Sequence, residues 1–172
     1  MDRRQPEPET LSRKTGNTGK QETAVTDLGE TTARAGTSKQ ENMNEMQNQD
    51  LTEQIIAAAI EVHRELGPGF LESIYEEALC IELRHRGIPY ERQKSLDVPF
   101  RGEIVGECRP DLLVDKAVVV ELKAVKAFEP IFFAIVRSYL KAARVDTGLL
   151  INFNAIPLAV KRIGREFYGH SK

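Results

Sequence analysis

Asp111, Glu121 and Lys123 are the residues whose types and spacing could do chemistry. They lie in Arg109-Pro110-Asp111-Leu112-Leu113-Val114, then a tight Asp115-Lys116 pair, then the apolar run Ala117-Val118-Val119-Val120-Glu121-Leu122-Lys123. Side chains alternate faces along a strand, so Glu121 and Lys123 project from one side while Leu122 points to the other. A turn at Asp115-Lys116 would fold 111–114 against 117–123 and bring Asp111 near Glu121. Removing such charges from water costs several kcal/mol each unless something pairs them. A divalent cation pairs two carboxylates, and metal-dependent phosphodiester hydrolysis needs this set of groups. Taken singly, the pieces are common. Glu-x-Lys is also a solvated ion pair on many edge strands, and an Asp after Pro also caps turns.

The elements that must position these residues follow from periodicity. Ile55, Ile56, Ala59, Ile60, His63 and Leu66 recur at helical spacing, with Asp50 as an N-cap and Glu53 reaching back to it. Gly67-Pro68-Gly69 ends that helix. A second helix runs through Phe70–Arg86, with Leu71, Ile74, Ala78, Leu79 and Leu83 as its buried stripe and Gly87 at its C-terminal end. Strand-like runs follow at 88–100, 103–114 and 117–124, with hairpin turns expected at Arg101-Gly102 and Asp115-Lys116. Residues 129–144 read as a helix, 148–154 as a buried strand, and 157–167 as a terminal helix. Helices and strands mixed in this order predict an α/β (α+β) domain built on a mixed sheet.

Composition narrows the class. The chain has 172 residues, 41% of them hydrophobic, enough for one domain with a real core. A formal net charge of −2 argues against a strongly basic, non-specific nucleic-acid binder but leaves room for a local basic groove. Cys80 and Cys108 have no metal-binding or disulfide spacing, which fits a reducing cytoplasm. No apolar leader and no run long enough to span a bilayer is present, so no membrane partner is expected. Residues 1–50 hold no Phe, Tyr, Trp or Ile and are expected to be a disordered extension, or a leader upstream of a true start at Met43 or Met46. Residues 51–172 are expected to be the single folded domain.

From Leu51 onward the chain closely resembles the bacterial and archaeal GxxExxY proteins of the PDDEXK nuclease-like superfamily. The namesake motif is Gly69-Phe70-Leu71-Glu72-Ser73-Ile74-Tyr75, the second block is 109–125, and the third is Gly148-Leu149-Leu150-Ile151-Asn152-Phe153-Asn154. The resemblance implies a restriction-endonuclease-like core of helix, three strands, helix, strand, with flanking helices. It implies that Asp111 and Glu121 bind Mg2+ (or Mn2+), with Glu72 as a further metal-binding acid. It also implies that Lys123 polarises the attacking water or steadies the phosphate, making the substrate DNA or RNA. Beside this set, Tyr75 is expected to be a packed aromatic whose hydroxyl reaches the site. His63, on the apolar face of its helix, is read as a core histidine or a ligand, and Arg137 as a solvated charge or a phosphate contact.

One block departs from the resemblance. Relatives carry polar residues where this chain has Phe132, Phe133 and Ile135, and Ile135 can neither donate nor accept a hydrogen bond. A helix so apolar is buried or covers a partner, such as a second copy meeting the Phe132/Phe133 face. Two functions therefore stand side by side. One is a Mg2+-dependent nuclease-like hydrolase. The other is a catalytically attenuated module of the same fold that binds nucleic acid or protein.

Overall fold

Two left-handed turns organise the first half of the sheet. Asp115 and Lys116 have φ of 48° and 56°, and Arg101 and Gly102 have φ of 51° and 89°. Paired positive φ values give a turn whose twist matches that of the strands it joins, so both segments fold back as hairpins where the sequence places them. The computed structural model describes residues 30–165. In order, its elements are α1 (Glu30–Leu66), α2 (Glu72–His85), β1 (Tyr90–Arg92), β2 (Leu96–Phe100), β3 (Glu103–Cys108), β4 (Leu112–Val114), β5 (Val118–Lys123), α3 (Pro130–Ala143), β6 (Thr147–Asn152) and β7 (Ala159–Gly164).

Five strands form a mixed sheet in the order β1-β4-β5-β6-β7, in which β5 and β6 run parallel and the other pairs antiparallel. The parallel pair is joined by α3, a β-α-β crossover. Alternation along β5 divides the core in two. Val118, Val120 and Leu122 pack with Leu149, Ile151 and Phe153 against Ile55, Ala59, Tyr75, Leu79 and Leu83 of α1 and α2. Val119 packs with Leu113, Leu150 and Ile163 against Val136 and Leu140 of α3. The result is three layers: α1 with α2, the sheet, and α3. This is the expected α/β (α+β) core with a mixed sheet.

Several elements differ from expectation. Residues 159–164 form β7 rather than a terminal helix: Val160 faces the first cluster and Ile163 the second, a two-sided pattern that a strand at the sheet edge satisfies. Phe167, where that helix was expected to end, lies outside the described residues. β2 and β3 leave the main sheet and make a separate two-stranded hairpin, with a register shift at Val98/Pro99. Proline cannot donate to a ladder, which suits it to such an edge. The buried stripe of α2 is rotated from the expected one: Tyr75, Leu79, Cys80 and Leu83 are buried, whereas Leu71 and Ile74 are exposed. Ile60 of α1 is also exposed.

α1 runs upstream of Leu51 to Glu30, through part of the segment expected to be disordered, so Asp50 lies within the helix rather than capping it. Residues 30–50 contain no proline and are rich in Glu, Gln and Met, which tolerate helix well. Residues 1–29 of the expected extension lie outside the described residues. Among the described residues no helix is long and apolar enough to cross a membrane, and Cys80 and Cys108 are both free.

The crossover closes tightly on β6. A Cβ added to Gly148 would lie 2.7 Å from Val136 Cγ1 and 3.3 Å from Leu140 Cδ2. Gly148→Ala should therefore destabilise the fold by about 1–3 kcal/mol through overpacking. The shift should appear as a lower denaturant midpoint at unchanged m value. Gly106→Ala, at a position open to solvent, should stay within about 0.5 kcal/mol of wild type in the same measurement.

Candidate active site

The register of β4 on β5 pairs Leu112 with Val120. Carried one residue further, it sets Asp111 opposite Glu121, on the face of the sheet that α3 covers. Asp111 closes the strand end itself, its Oδ2 accepting from the Leu122 N–H at 2.7 Å. Glu121 is buried. Its Oε1 accepts from Lys123 Nζ at 2.7 Å, whereas Oε2 is buried with no hydrogen-bond partner. Lys123 Nζ also donates to the Leu122 carbonyl at 2.8 Å, lies 3.7 Å from Glu72 Oε1, and sits 5.5 Å above the Phe132 ring. The expected convergence of Asp111, Glu121 and Lys123 is present, and Glu72 joins it through the lysine.

The electrostatics follow from burial. Loss of water, then the charge of Glu121, pushes the Asp111 carboxyl up to about 7 against the pull of the Leu122 N–H and Lys123. Burial raises Glu121 as well, with the Lys123 hydrogen bond opposing it. Burial works against the Lys123 ammonium, but the Glu121 hydrogen bond and the charges of Glu121, Glu72 and Asp111 outweigh it, and its pKa rises. The cation is held firmly; the carboxylates are not fully satisfied. Among the described residues no three His, Cys, Asp or Glu side chains are arranged to hold a metal ion together. Asp111 and Glu121 are the paired carboxylates at this strand end, while Glu72 is turned to Lys123.

A pinned loop sets Glu72. Gly69 has φ of 112°, a conformation that side chains disfavour, and its N–H donates to Asn154 Oδ1 at 2.9 Å. Tyr75, fully buried and stacked on Phe153 at 4.4 Å, donates its hydroxyl to the Gly67 carbonyl at 2.7 Å and accepts from the Phe70 N–H at 3.1 Å. Its hydroxyl is thus spent on the loop instead of reaching the carboxylates. Asn154 Nδ2 donates to the Ala124 carbonyl at 2.9 Å, and Asn152 holds Val125 through both its N–H and its carbonyl, at 3.1 and 2.8 Å. Together these contacts tie the ends of β5 and β6 to the start of α2.

The remaining expected residues are more peripheral. His63 packs toward Phe153, ring centroids 6.3 Å apart, and its Nε2 is buried without a hydrogen-bond partner. Arg137 is half-buried on α3. Phe132, Phe133 and Ile135 are half-buried, and Phe133 meets Phe128 edge-on at 6.0 Å, so these rings are engaged within the chain. Ile131, Ala134, Ser138 and Lys141 form the exposed side of α3, a mix of apolar and polar residues.

Four residues escape the sequence reading. Tyr139 lies close enough to the pair that burial, then Glu121 and Asp111, push its hydroxyl up to about 12. Asn152 and Asn154 are two of the others, and their spacing of two at the end of an apolar strand was the available signal. The last is Glu76, one turn after Glu72, buried and held by Arg92 and Gln93 as a brace between α2 and β1. If the Tyr75 hydroxyl pins the loop, Tyr75→Phe leaves two backbone groups short of a partner. Stability should then fall by about 1–3 kcal/mol, and the Phe70 amide should exchange faster; an unchanged exchange rate would remove the pinning role.

Comparison with curated proteins and with solved structures gives no match. A family profile described as the PD-(D/E)XK nuclease superfamily matches residues 49–163, a span that takes in Glu72, Asp111, Glu121, Lys123 and both asparagines. The chain belongs to the PD-(D/E)XK nuclease superfamily.

Proposed function

We propose that this protein is a Mg2+-dependent nuclease-like hydrolase of phosphodiester bonds in DNA or RNA. The observation that carries the proposal is Glu121 Oε2, buried and without a partner, beside a second carboxylate whose pKa is pushed up to about 7. The donor set suits the ion. Mg2+ takes one or two carboxylates and completes its octahedron with waters and phosphate oxygens, and Mn2+ accepts the same hard oxygen donors. Asp111 and Glu121 would hold it. When bound, the ion supplies positive charge to the phosphate and acidifies the attacking water.

The chain's own residues do the rest. Lys123 keeps its proton between Glu121 and Glu72 and presents a fixed positive charge where negative charge grows on the phosphate. Glu72 steers Lys123 and leaves coordination to the pair. Arg137, on the helix that covers this face, is the candidate phosphate contact. Tyr75 and His63 act from behind, through the loop and Phe153. We place the reaction in the cytoplasm, where thiols such as Cys80 and Cys108 stay reduced.

A second reading, binding without hydrolysis, draws on Ile135, which gives no hydrogen bond to a water or substrate where relatives have a polar group. Metal titration followed by thermal unfolding separates the two. Mg2+ or Mn2+ at about 100 times its Kd should stabilise the wild-type chain by about 2.7 kcal/mol. Asp111→Asn and Glu121→Gln should lose that shift together with metal-dependent cleavage of DNA or RNA. A metal-induced shift without cleavage of either polymer supports the binding module, and no shift at all sinks the metal site.

The metal-free protein should also respond to pH. Asp111 is raised from 3.8 to about 7 in the fold, so folded chains bind the proton more tightly than unfolded ones. Its contribution is full below 3.8 and is lost as pH rises through about 7. Glu121, also raised, acts in the same direction. Stability without metal should therefore decline between about pH 4 and pH 7. The decline should be shallower in Asp111→Asn, and saturating Mg2+ should flatten it in wild type.

A further inference from the structure

Phe70 stands beside this chemistry and takes no part in it. It lies two residues before Glu72, on the loop that the Tyr75 hydroxyl and Asn154 hold against the ends of β5 and β6. Phe70 is 46% exposed, and the flanking Leu71 is 73% exposed. Ile156, on the loop that Asn154 begins, is 78% exposed. Scattered surface aliphatics need no explanation. An aromatic ring on a pinned backbone is different, because the chain fixes it while leaving it in water. Phe70 meets Tyr75 edge-on, with centroids 6.2 Å apart and planes at 77°. It is therefore braced from within, with little freedom left to lose on contact with a ligand.

The charge pattern says what kind of contact this is. Residues 67–75 contain no Lys or Arg, and their one charge is Glu72, which lies 3.7 Å from the Lys123 ammonium. This loop cannot track a phosphate backbone, so what it offers a polynucleotide is apolar, aromatic surface. A duplex keeps its base faces stacked inside and shows such a surface only sugars and phosphates. An unpaired base has a free face, and every base stacks on an aromatic ring regardless of sequence.

We propose that Phe70 is a stacking platform for an unpaired base next to the scissile phosphate. Single-stranded or frayed nucleic acid is then the substrate, in preference to intact duplex. The proposal rests on the nuclease reading and adds the strandedness of its substrate.

The test uses the full chain carrying Asp111→Asn, which removes cleavage, and fluorescent DNA and RNA oligonucleotides of about twelve nucleotides, within the usual range of single-strand footprints. Phe70→Ala and Phe70→Leu should weaken single-strand binding by about tenfold or more, the scale of one lost stack. Phe70→Trp and Phe70→Tyr should retain it, and blunt-duplex affinity should change little in all four. A role in packing alone predicts instead that Leu substitutes well and that binding follows thermal stability. In the chain with Asp111 restored, cleavage of single strands that is unaffected by Phe70→Ala overturns the platform and leaves the hydrolase intact. Equal losses on single strand and duplex also overturn it. No binding and no cleavage of any oligonucleotide overturns both.

Discussion

Two carboxylates share one nearly dry end of a sheet, and most of what surrounds them follows from that. Asp111 and Glu121 come from adjacent antiparallel strands on the face that α3 covers, with one ammonium from Lys123 to answer them. With Glu72 there are three acids to a single cation in the cluster. Like charges in a poorly solvated site cannot all ionise cheaply, so one takes up a proton or a cation must enter. The raised carboxyl of Asp111 leans toward the first solution. The buried, unpartnered oxygen of Glu121 marks where the second would act. A site built only for stability would have paired that oxygen, since an orphaned buried acceptor costs about 1–3 kcal/mol.

The Gly-x-x-Glu-x-x-Tyr signature acquires a physical meaning here that its spelling hides. Only the glutamate reaches the Lys123 ammonium. The glycine supplies a backbone angle that other residues resist, and the tyrosine hydroxyl satisfies two backbone groups of the loop that delivers the glutamate. Asn154 receives that loop on the far side, while Asn152 fixes the strand exit just beyond Lys123. Three chain segments far apart in sequence are thereby held at one sheet end by side-chain-to-backbone hydrogen bonds. Such bonds hold a group to a defined position more tightly than apolar packing does, which is what a two-carboxylate site requires.

What was legible in the sequence is what local periodicity encodes. The period of two along β5 places Glu121 and Lys123 on one face, and the Asp115-Lys116 turn brings Asp111 back to them; both needed only a few residues of context. The terminal strand was not legible, because 159–164 has apolar residues three apart, which suits one face of a helix as well as two faces of an edge strand. Only β6, its partner, decides between them. The rotation of α2 was hidden for a related reason: burying Tyr75 in place of Ile74 depends on a stacking partner, Phe153, and on loop backbone groups distant in sequence. Asn152, Asn154, Tyr139 and Glu76 matter through tertiary hydrogen bonds or fields, which leave no periodic trace. They sit where local rules stop and the site begins.

The apolar character of α3 then reads differently than it does in the bare sequence. Phe132, Phe133 and Ile135 cannot order water, and on that ground they argue against catalysis. Yet Phe132 lies under the Lys123 ammonium, and Val136 and Leu140 close the same face of the sheet. Burial is the largest cause of the shifts at Asp111, Glu121 and Tyr139 alike. A helix that removes water from one side of the pair strengthens every electrostatic interaction there, including attraction for a divalent cation and for charge developing on a phosphate. The same residues that deny the site a polar neighbour raise the cost of leaving its carboxylates ionised. An apolar cover therefore weakens water positioning and tightens charge coupling, so in the proposed hydrolase metal affinity and turnover would be separable.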